Sequence, residues 1–269
     1  MINKDTTLCM SLSARPGNFG TRFHNSLYEQ LGLNFIYKAF STKNIEDAVK
    51  GIRALNIRGC AISMPFKEAC IPFLDKLTDS VLAIDSVNTI VNDNGHLTAY
   101  NTDYIAIRKL ITQYQLNTSQ SVIIHGSGGM AKAVIAAFYD AGFKNVTIFA
   151  RNEAAGQALA KKYHFSWVTE PASHYDILVN ATPLGMSGGA DVNTLSFPAD
   201  LIKSANVVFE VIAMPVYTPL INEAIRHNIK TISGREVMIL QAVEQFILYT
   251  GKTPTVEQIK IAAELASQP

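Results

Sequence analysis

Cysteine is scarce. Cys9, Cys60 and Cys70 are the only three in 269 residues, and no two form a C-x-x-C pair. An odd, dispersed set excludes a disulfide framework and a zinc cage, and it fits a reducing, cytoplasmic compartment. Charge is also in short supply. The 23 Lys and Arg balance 22 Asp and Glu, and charged residues make up 17% of the chain. No basic field is there to draw nucleic acid. No apolar run approaches the ~18 residues of a membrane span. The polar start over residues 1–7 lacks the apolar segment of a secretory leader. Histidines, cysteines and carboxylates show no H-E-x-x-H or similar spacing, so no metal is expected. The expected partner is a small molecule, without nucleic acid or membrane.

Apolar residues, by contrast, are 48% of the chain, enough at this length to build a core without staples. Short β-rich runs at 7–11, 34–40, 58–62, 121–125, 146–149, 177–180, 207–211 and 230–232 alternate with amphipathic stretches at 44–55, 130–141, 152–163 and 219–227. This alternation predicts an α/β fold with parallel strands and helices on both faces. Runs at 87–91 and 96–100 flank the turn-forming Asn92-Asp93-Asn94-Gly95 and predict an antiparallel hairpin. A polar stretch at 115–120 precedes a strand, a glycine turn and a helix, as if a second lobe opened there. A helix over 237–249 leaves that lobe. A last helix follows Thr253-Pro254-Thr255, with Thr253 or Thr255 as its cap.

The glycine turn is the strongest local signal. Ser121-Val-Ile-Ile-His-Gly-Ser-Gly-Gly-Met-Ala-Lys-Ala runs from apolar strand to apolar helix. Gly126 allows the tight turn, and Gly128 and Gly129 let the backbone approach a pyrophosphate. A helix starting near Met130 aims free N–H groups and its positive end at the phosphates. Ala131 stands where a strict G-x-G-x-x-G has its third glycine. His125 reads as a packed strand end. The next strand ends at Ala150-Arg151-Asn152, where NAD-selective folds place an acid on the ribose. Arg151 suits a 2′-phosphate instead, which predicts NADP with NAD as the weaker alternative. A plain tight turn and a solvated arginine are the competing structural readings.

Lys67 directly follows an apolar strand and Pro65, at the crevice end of an open α/β sheet. Asp103 sits in Asn101-Thr-Asp at the start of an apolar helix, a place equally natural for a first-turn carboxylate. Position alone does not make either residue functional.

Taken in order, eight segments resemble the shikimate dehydrogenase family. Ser11-Leu-Ser13 is similar to its S-x-S, and Phe23-His24-Asn25 to its H-N helix. Ser63-Met-Pro-Phe-Lys67 is similar to T-x-P-x-K, Val87-Asn88-Thr89 to V-N-T, and Asn101-Thr-Asp103 to N-T-D. The glycine turn resembles G-x-G-G-x-x-x-A, Asn180-Ala-Thr-Pro-Leu-Gly-Met186 resembles N-A-T-P-x-G-M, and Gln241-Ala-Val-Glu-Gln-Phe resembles Q-A-x-x-x-F. The resemblance implies two lobes. One is an N-terminal substrate-binding α/β domain with a mixed sheet, over 1–102 and completed by helices in 238–269. The other is a Rossmann-type dinucleotide-binding domain over 103–237.

The implied activity is NADP-dependent interconversion of shikimate and 3-dehydroshikimate, in a monomer or homodimer. Lys67 and Asp103 become the acid/base pair. Ser11 and Ser13 hold the substrate carboxylate, and Ser63, Asn88, Asp103 and Gln241 its hydroxyls. Gly126, Ser127, Gly128, Gly129, Met130, Ala131, Arg151, Asn152, Thr182, Ile212 and Gly234 are the implied cofactor residues. A quinate or related cyclohexane-carboxylate dehydrogenase, and a non-catalytic ligand sensor on the same fold, are the alternatives. Departures from the pattern are Ala61, Ala155, Ala213 and an insert at 14–22, expected to enlarge a loop beside the substrate carboxylate and to bring Arg15 or Arg22 towards it.

Overall fold

The computed structural model describes residues 2–268. Its elements, in chain order, begin with β1 (Thr7–Leu12), α1 (Phe19–Gln30), β2 (Phe35–Phe40), α2 (Ile45–Ala54), β3 (Gly59–Ile62) and α3 (Phe66–Ala69). Then come β4 (Lys76–Leu77), α4 (Asp79–Leu82), β5 (Thr89–Asp93), β6 (His96–Tyr100) and α5 (Thr102–Gln113). There follow β7 (Val122–His125), α6 (Gly129–Asp140), β8 (Val146–Phe149), α7 (Glu153–Tyr163), β9 (Ser166–Val168), β10 (Ile177–Asn180) and α8 (Ala199–Ser204). The chain ends with β11 (Val207–Glu210), α9 (Pro219–Arg226), β12 (Lys230–Ile232), α10 (Gly234–Thr250) and α11 (Val256–Ala266). They form two compact units, residues 1–102 with 239–269, and residues 103–238, so the division falls inside α5 and inside α10.

The first unit holds a mixed sheet in the order β2-β1-β3-β5-β6-β4. β1 pairs in parallel with β2 and β3, whereas β5 pairs antiparallel with β3 and β6. Asn94 and Gly95 turn the β5–β6 hairpin with φ of 53° and 91°, the mirror-image geometry that suits the twist of paired strands. β5 begins at Thr89 and not at residue 87, because the Val87 amide donates to Lys67 O at 2.8 Å instead of joining the ladder. One face of the sheet packs Met10, Leu12, Ile52, Cys60, Ile62 and Ile90. The other packs Cys9, Phe23, Leu27, Tyr28, Tyr37, Phe246 and Tyr249, so the last two helices close this core. Arg58 donates to the carbonyls of Leu248 (3.3 Å) and Tyr249 (2.9 Å), tying the end of α10 to the start of β3. Thr255, not Thr253, caps α11. Its hydroxyl accepts from Gln258 N at 3.3 Å, and Gln258 Oε1 accepts from Thr255 N at 2.9 Å.

The expected loop over 14–22 is shorter. α1 starts at Phe19, because Phe19 and Phe23 stack one turn apart at 5.5 Å and drive that face into the core. Arg22 therefore lies on a helix, and its guanidinium donates to Gln268 O. Only Ala14–Asn18 remain as a connection, with Arg15 exposed.

The second unit is an all-parallel sheet, β12-β11-β10-β7-β8-β9. Counted from β7, this is the order 3-2-1-4-5-6 of dinucleotide-binding sheets, whose ligands sit beyond the strand ends where the order reverses. Here that point lies between β7 and β10. The four inner strands, β7, β8, β10 and β11, are mostly apolar and buried on both faces, as crossover helices require. Among the described residues no helix is long and apolar enough to cross a membrane.

Candidate active site

At the reversal point of the second unit, a cleft of about 490 Å³ is lined by His125, Gly126, Ser127, Gly128, Ala150, Arg151, Asn152 and the turn Ala181–Pro183. Gly126 has φ +130°, and a Cβ there would lie 2.9 Å from Ala181 O; backbone crowding fixes this residue as glycine. At Gly128 and Gly129 a Cβ would meet nothing within 4 Å. Those two face open space, the room a phosphate needs against the chain. Gly128 caps α6, and no side chain bonds the first turn, so its amides are left for an anion.

Arg151 is exposed at the cleft rim. Asn152 is chiefly a cap: its Oδ1 accepts from Ala155 N at 3.1 Å to start α7. Ala131 has no exposed surface and packs under the turn, so it supports the cleft without lining it. Gly129 and Met130 form the first turn of α6. His125 is packed as expected, stacked on Phe149 at 4.1 Å, with Nδ1 2.7 Å from Ser196 O. That carbonyl can only accept, so Nδ1 carries the proton. Burial holds the His125 pKa below its ordinary value, and the nearby Arg151 adds to this. It nevertheless borders the cleft.

Thr182 lies in a turn fixed by Asn180, whose Oδ1 accepts from Thr182 N (3.0 Å) and Thr182 Oγ1 (2.7 Å). Ile212 is buried, and its amide donates to Glu210. Gly234 presses on the same segment, since a Cβ there would lie 2.1 Å from Ile212 O. The sequence reading missed Glu210 as the hub of these contacts, along with Ala181 and Pro183 as cleft walls. Glu210 is fully buried at the end of β11.

In the first unit the expected substrate residues sit at strand ends. Ser11 pairs in register with Ala61 on β3, and Ser13 follows β1, its amide donating to Phe40 O at 3.3 Å. The Ser13 hydroxyl is buried with no protein partner, a donor left for a ligand oxygen. Ser63 follows β3 and donates its amide to Leu12 O at 2.9 Å. Lys67 is half-buried in α3.

Asn88 has a structural duty that its motif does not reveal. Its Oδ1 accepts from Thr89 Oγ1 (2.8 Å), Thr102 N (2.7 Å) and Thr102 Oγ1 (3.1 Å). The first amide of α5 thus has Asn88 Oδ1 as its acceptor, and a ligand could use only the Asn88 Nδ2. Gln241 Oε1 accepts from Thr102 Oγ1 at 3.4 Å, and Gln245 Nε2 donates to Thr89 Oγ1 at 3.0 Å. Gln245, four residues after Gln241 and one turn further along α10, is a support the sequence reading overlooked. Asp103, the next residue after Thr102, is buried in the first turn of α5. Among the described residues no group of three or more His, Cys, Asp and Glu could hold a metal.

Residues 19–90 match the shikimate dehydrogenase substrate binding domain, and residues 108–184 match shikimate/quinate 5-dehydrogenase. The shikimate dehydrogenase-like protein of Haemophilus influenzae is 60% identical over 99% of this chain and 98% of its own. The chain belongs to the shikimate dehydrogenase family. It shares that family's oxidoreductase fold throughout. A solved shikimate 5-dehydrogenase-like protein superposes with a TM-score of 0.97 at 59% identity, covering 100% of both chains. The shikimate 5-dehydrogenase of Thermus thermophilus, solved in complex with NADP(H) and shikimate, gives 0.88 at 25% identity, covering 97% of this chain and 99% of its own. The two units of this shikimate dehydrogenase family member carry, respectively, the whole of the matched substrate-binding segment and the whole of the segment matched as shikimate/quinate 5-dehydrogenase.

Proposed function

We propose that this family member is an NADP-dependent oxidoreductase interconverting shikimate and 3-dehydroshikimate. One observation carries the cofactor reading: an uncapped glycine turn and Arg151 line a single cleft at the reversal point of a 3-2-1-4-5-6 sheet. NADP, when bound, supplies the hydride acceptor. Free amides of α6 meet the pyrophosphate, and Arg151 meets the 2′-phosphate with a charge-assisted, bidentate geometry that lysine lacks. Ser11 and Ser13 hold the substrate carboxylate. Ser63, Asn88 and Gln241 take its hydroxyls. Lys67 removes and returns the C3 hydroxyl proton, and Asp103 orients Lys67 and binds the same hydroxyl. The complex of the Thermus thermophilus relative with NADP(H) and shikimate supports this reading.

Steady-state turnover of shikimate and quinate, each with NADP and NAD, tests the proposal. Shikimate with NADP is expected to give the highest kcat/KM. A higher value for quinate, or no turnover of either acid, would replace it.

Arg151→Ala isolates the cofactor preference. Loss of a hydrogen bond to a charged group costs roughly 1.5–3 kcal/mol, or about 10- to 150-fold in affinity. The NADP to NAD ratio of kcat/KM is expected to fall by that factor, towards the lower end because Ala155 supplies no second cation. An unchanged ratio would remove Arg151 from the phosphate site.

A further inference from the structure

Glu210 is a buried acid with no buried cation beside it. Asn180 Nδ2 donates to both of its oxygens, at 3.0 and 3.1 Å. The Ile212 amide donates to Oε1 at 3.0 Å, and the Thr218 hydroxyl donates to Oε2 at 2.9 Å. Each donor belongs to a different segment. Asn180 ends β10 and fixes the Thr182 turn through its Oδ1. Ile212 belongs to the strand-end segment on which Gly234 presses. Thr218 caps α9 by accepting from Ile221 N at 3.2 Å. One carboxylate therefore ties together three connections at the ligand end of the sheet.

We propose that Glu210 is a positioning residue for the dinucleotide cleft, and that its ionised form holds the Thr182 turn and the Ile212 segment in the arrangement that accepts the cofactor. This rests on the reading that the cleft binds a dinucleotide. The chemistry of the partners makes the link to ionisation. An ionised carboxylate accepts from every donor around it. A protonated one must donate, and of its partners only the Thr218 oxygen can accept. Turning that hydroxyl round gives up its bond to Oε2 and slackens the clasp. The groups facing the carboxylate from β10, from the Val211–Ile212 segment and from the start of α9 are all neutral: Asn180, the two backbone amides and Thr218. Burial, against the lowering effect of these donors, raises the Glu210 pKa from 4.5 to about 7, so the clasp tightens as pH rises through neutrality.

The sign for stability is the opposite. A carboxyl group whose folded pKa lies above its unfolded value contributes stability that is complete below about 4.5. That contribution is lost as pH rises through about 7. The ionised clasp therefore costs stability where it serves binding. This separates a positioning role from a merely structural one.

The test measures NADPH and NADH affinity by nicotinamide fluorescence from pH 6 to pH 8.5, with melting temperatures in parallel. NADH is needed because a 2′-phosphate titrates in the same range. His125 also borders the cleft, but burial moves its pKa down, away from neutrality. Wild-type protein is expected to bind both dinucleotides about 5- to 10-fold more weakly at pH 6 than at pH 8, by analogy with other hydrogen bonds to charged groups. Glu210→Gln is expected to bind about tenfold more weakly at pH 8, to lose the NADH pH dependence, and to melt higher than wild type at pH 8 but not at pH 5. Wild-type affinity and pH profile in the folded variant would overturn the proposal. If the variant does not fold, a flat wild-type NADH profile overturns it and a transition near pH 7 upholds it. Binding that ignores pH and substitution defeats this proposal alone. Failure of both dinucleotides to bind at any pH defeats the cofactor reading and this one with it.

Discussion

Lys67→Ala is expected to lower kcat by about two to four decades while substrate KM changes much less, because a positioned acid/base contributes ~10²–10⁴-fold. The hydride that leaves C3 cannot go without the hydroxyl proton, and the reverse reaction needs that proton back. In the proposed role Lys67 would be held from two directions. Pro65 opens its short helix, and its carbonyl accepts from the Val87 amide, next to Asn88. Asp103→Asn should lose both rate and substrate affinity, since its carboxylate is assigned to the lysine and to the substrate. If the two act as one unit, the double variant is little slower than the worse single one. Stopped-flow and steady-state kinetics on the three variants decide this. A Lys67→Ala protein with wild-type kcat on its best substrate ends the acid/base assignment. Losses that multiply leave two separate roles.

The second large effect is on stability, and it separates two glycines that the family resemblance groups together as cofactor residues. At Gly234 an added Cβ would sit 2.1 Å from Ile212 O and 2.3 Å from Ile212 C. Both are backbone atoms, so the strand-end segment or the start of α10 must move. Overpacking of this kind costs roughly 1–3 kcal/mol and sometimes more. At about 2–4 °C per kcal/mol for a domain of this size, Gly234→Ala should melt several degrees lower and also bind NADPH poorly. Gly128 is the control. Its Cβ would meet open space, and its φ of −79° is ordinary for alanine. Gly128→Ala should keep the wild-type melting temperature and lose cofactor affinity, because the methyl group takes room meant for the pyrophosphate. Calorimetry beside NADPH titration checks both. A stable Gly234→Ala protein would show that the contact relaxes cheaply. Unchanged affinity in Gly128→Ala would move the phosphate elsewhere.

Some of this architecture was legible in the residues alone. β8 and β10 occupy the residues their apolar runs mark out, because each run is short, rich in Val, Ile and Leu, and bounded by turn formers. The glycine turn was legible for the same reason, with period and punctuation agreeing over a dozen residues. β4 and β9 were not: two and three residues carry no period, and they exist because a neighbouring strand offers an edge. The early start of α1 was hidden behind Pro16, Gly17 and Gly20, which read as a loop until Phe19 and Phe23 are seen to share a core face. The contacts of Glu210 were invisible in principle. Its side-chain partners lie 30 residues before it and 8 after it, and its one near partner, the Ile212 amide, does not distinguish it from any acid at a strand end. The same holds for Asn88, read as a ligand residue but also the acceptor for the first amide of a helix that begins 14 residues later.

The path of the chain has a consequence for how the protein is made. The first unit is assembled from both ends of the sequence, and its aromatic core takes Phe246 and Tyr249 from α10 and Ala262, Ala263 and Ala266 from α11. Without those helices Arg58 lacks its two carbonyl partners on α10 and the apolar face of α1 lacks its cover. The second unit is continuous, from 103 to 238. It needs nothing beyond residue 238 to close its sheet. The later-numbered lobe is thus independent of the tail, and the earlier one is not. A chain cut at residue 238 would carry a whole nucleotide fold and a complete six-stranded sheet with one greasy face bare, the surface a chaperone would have most to protect.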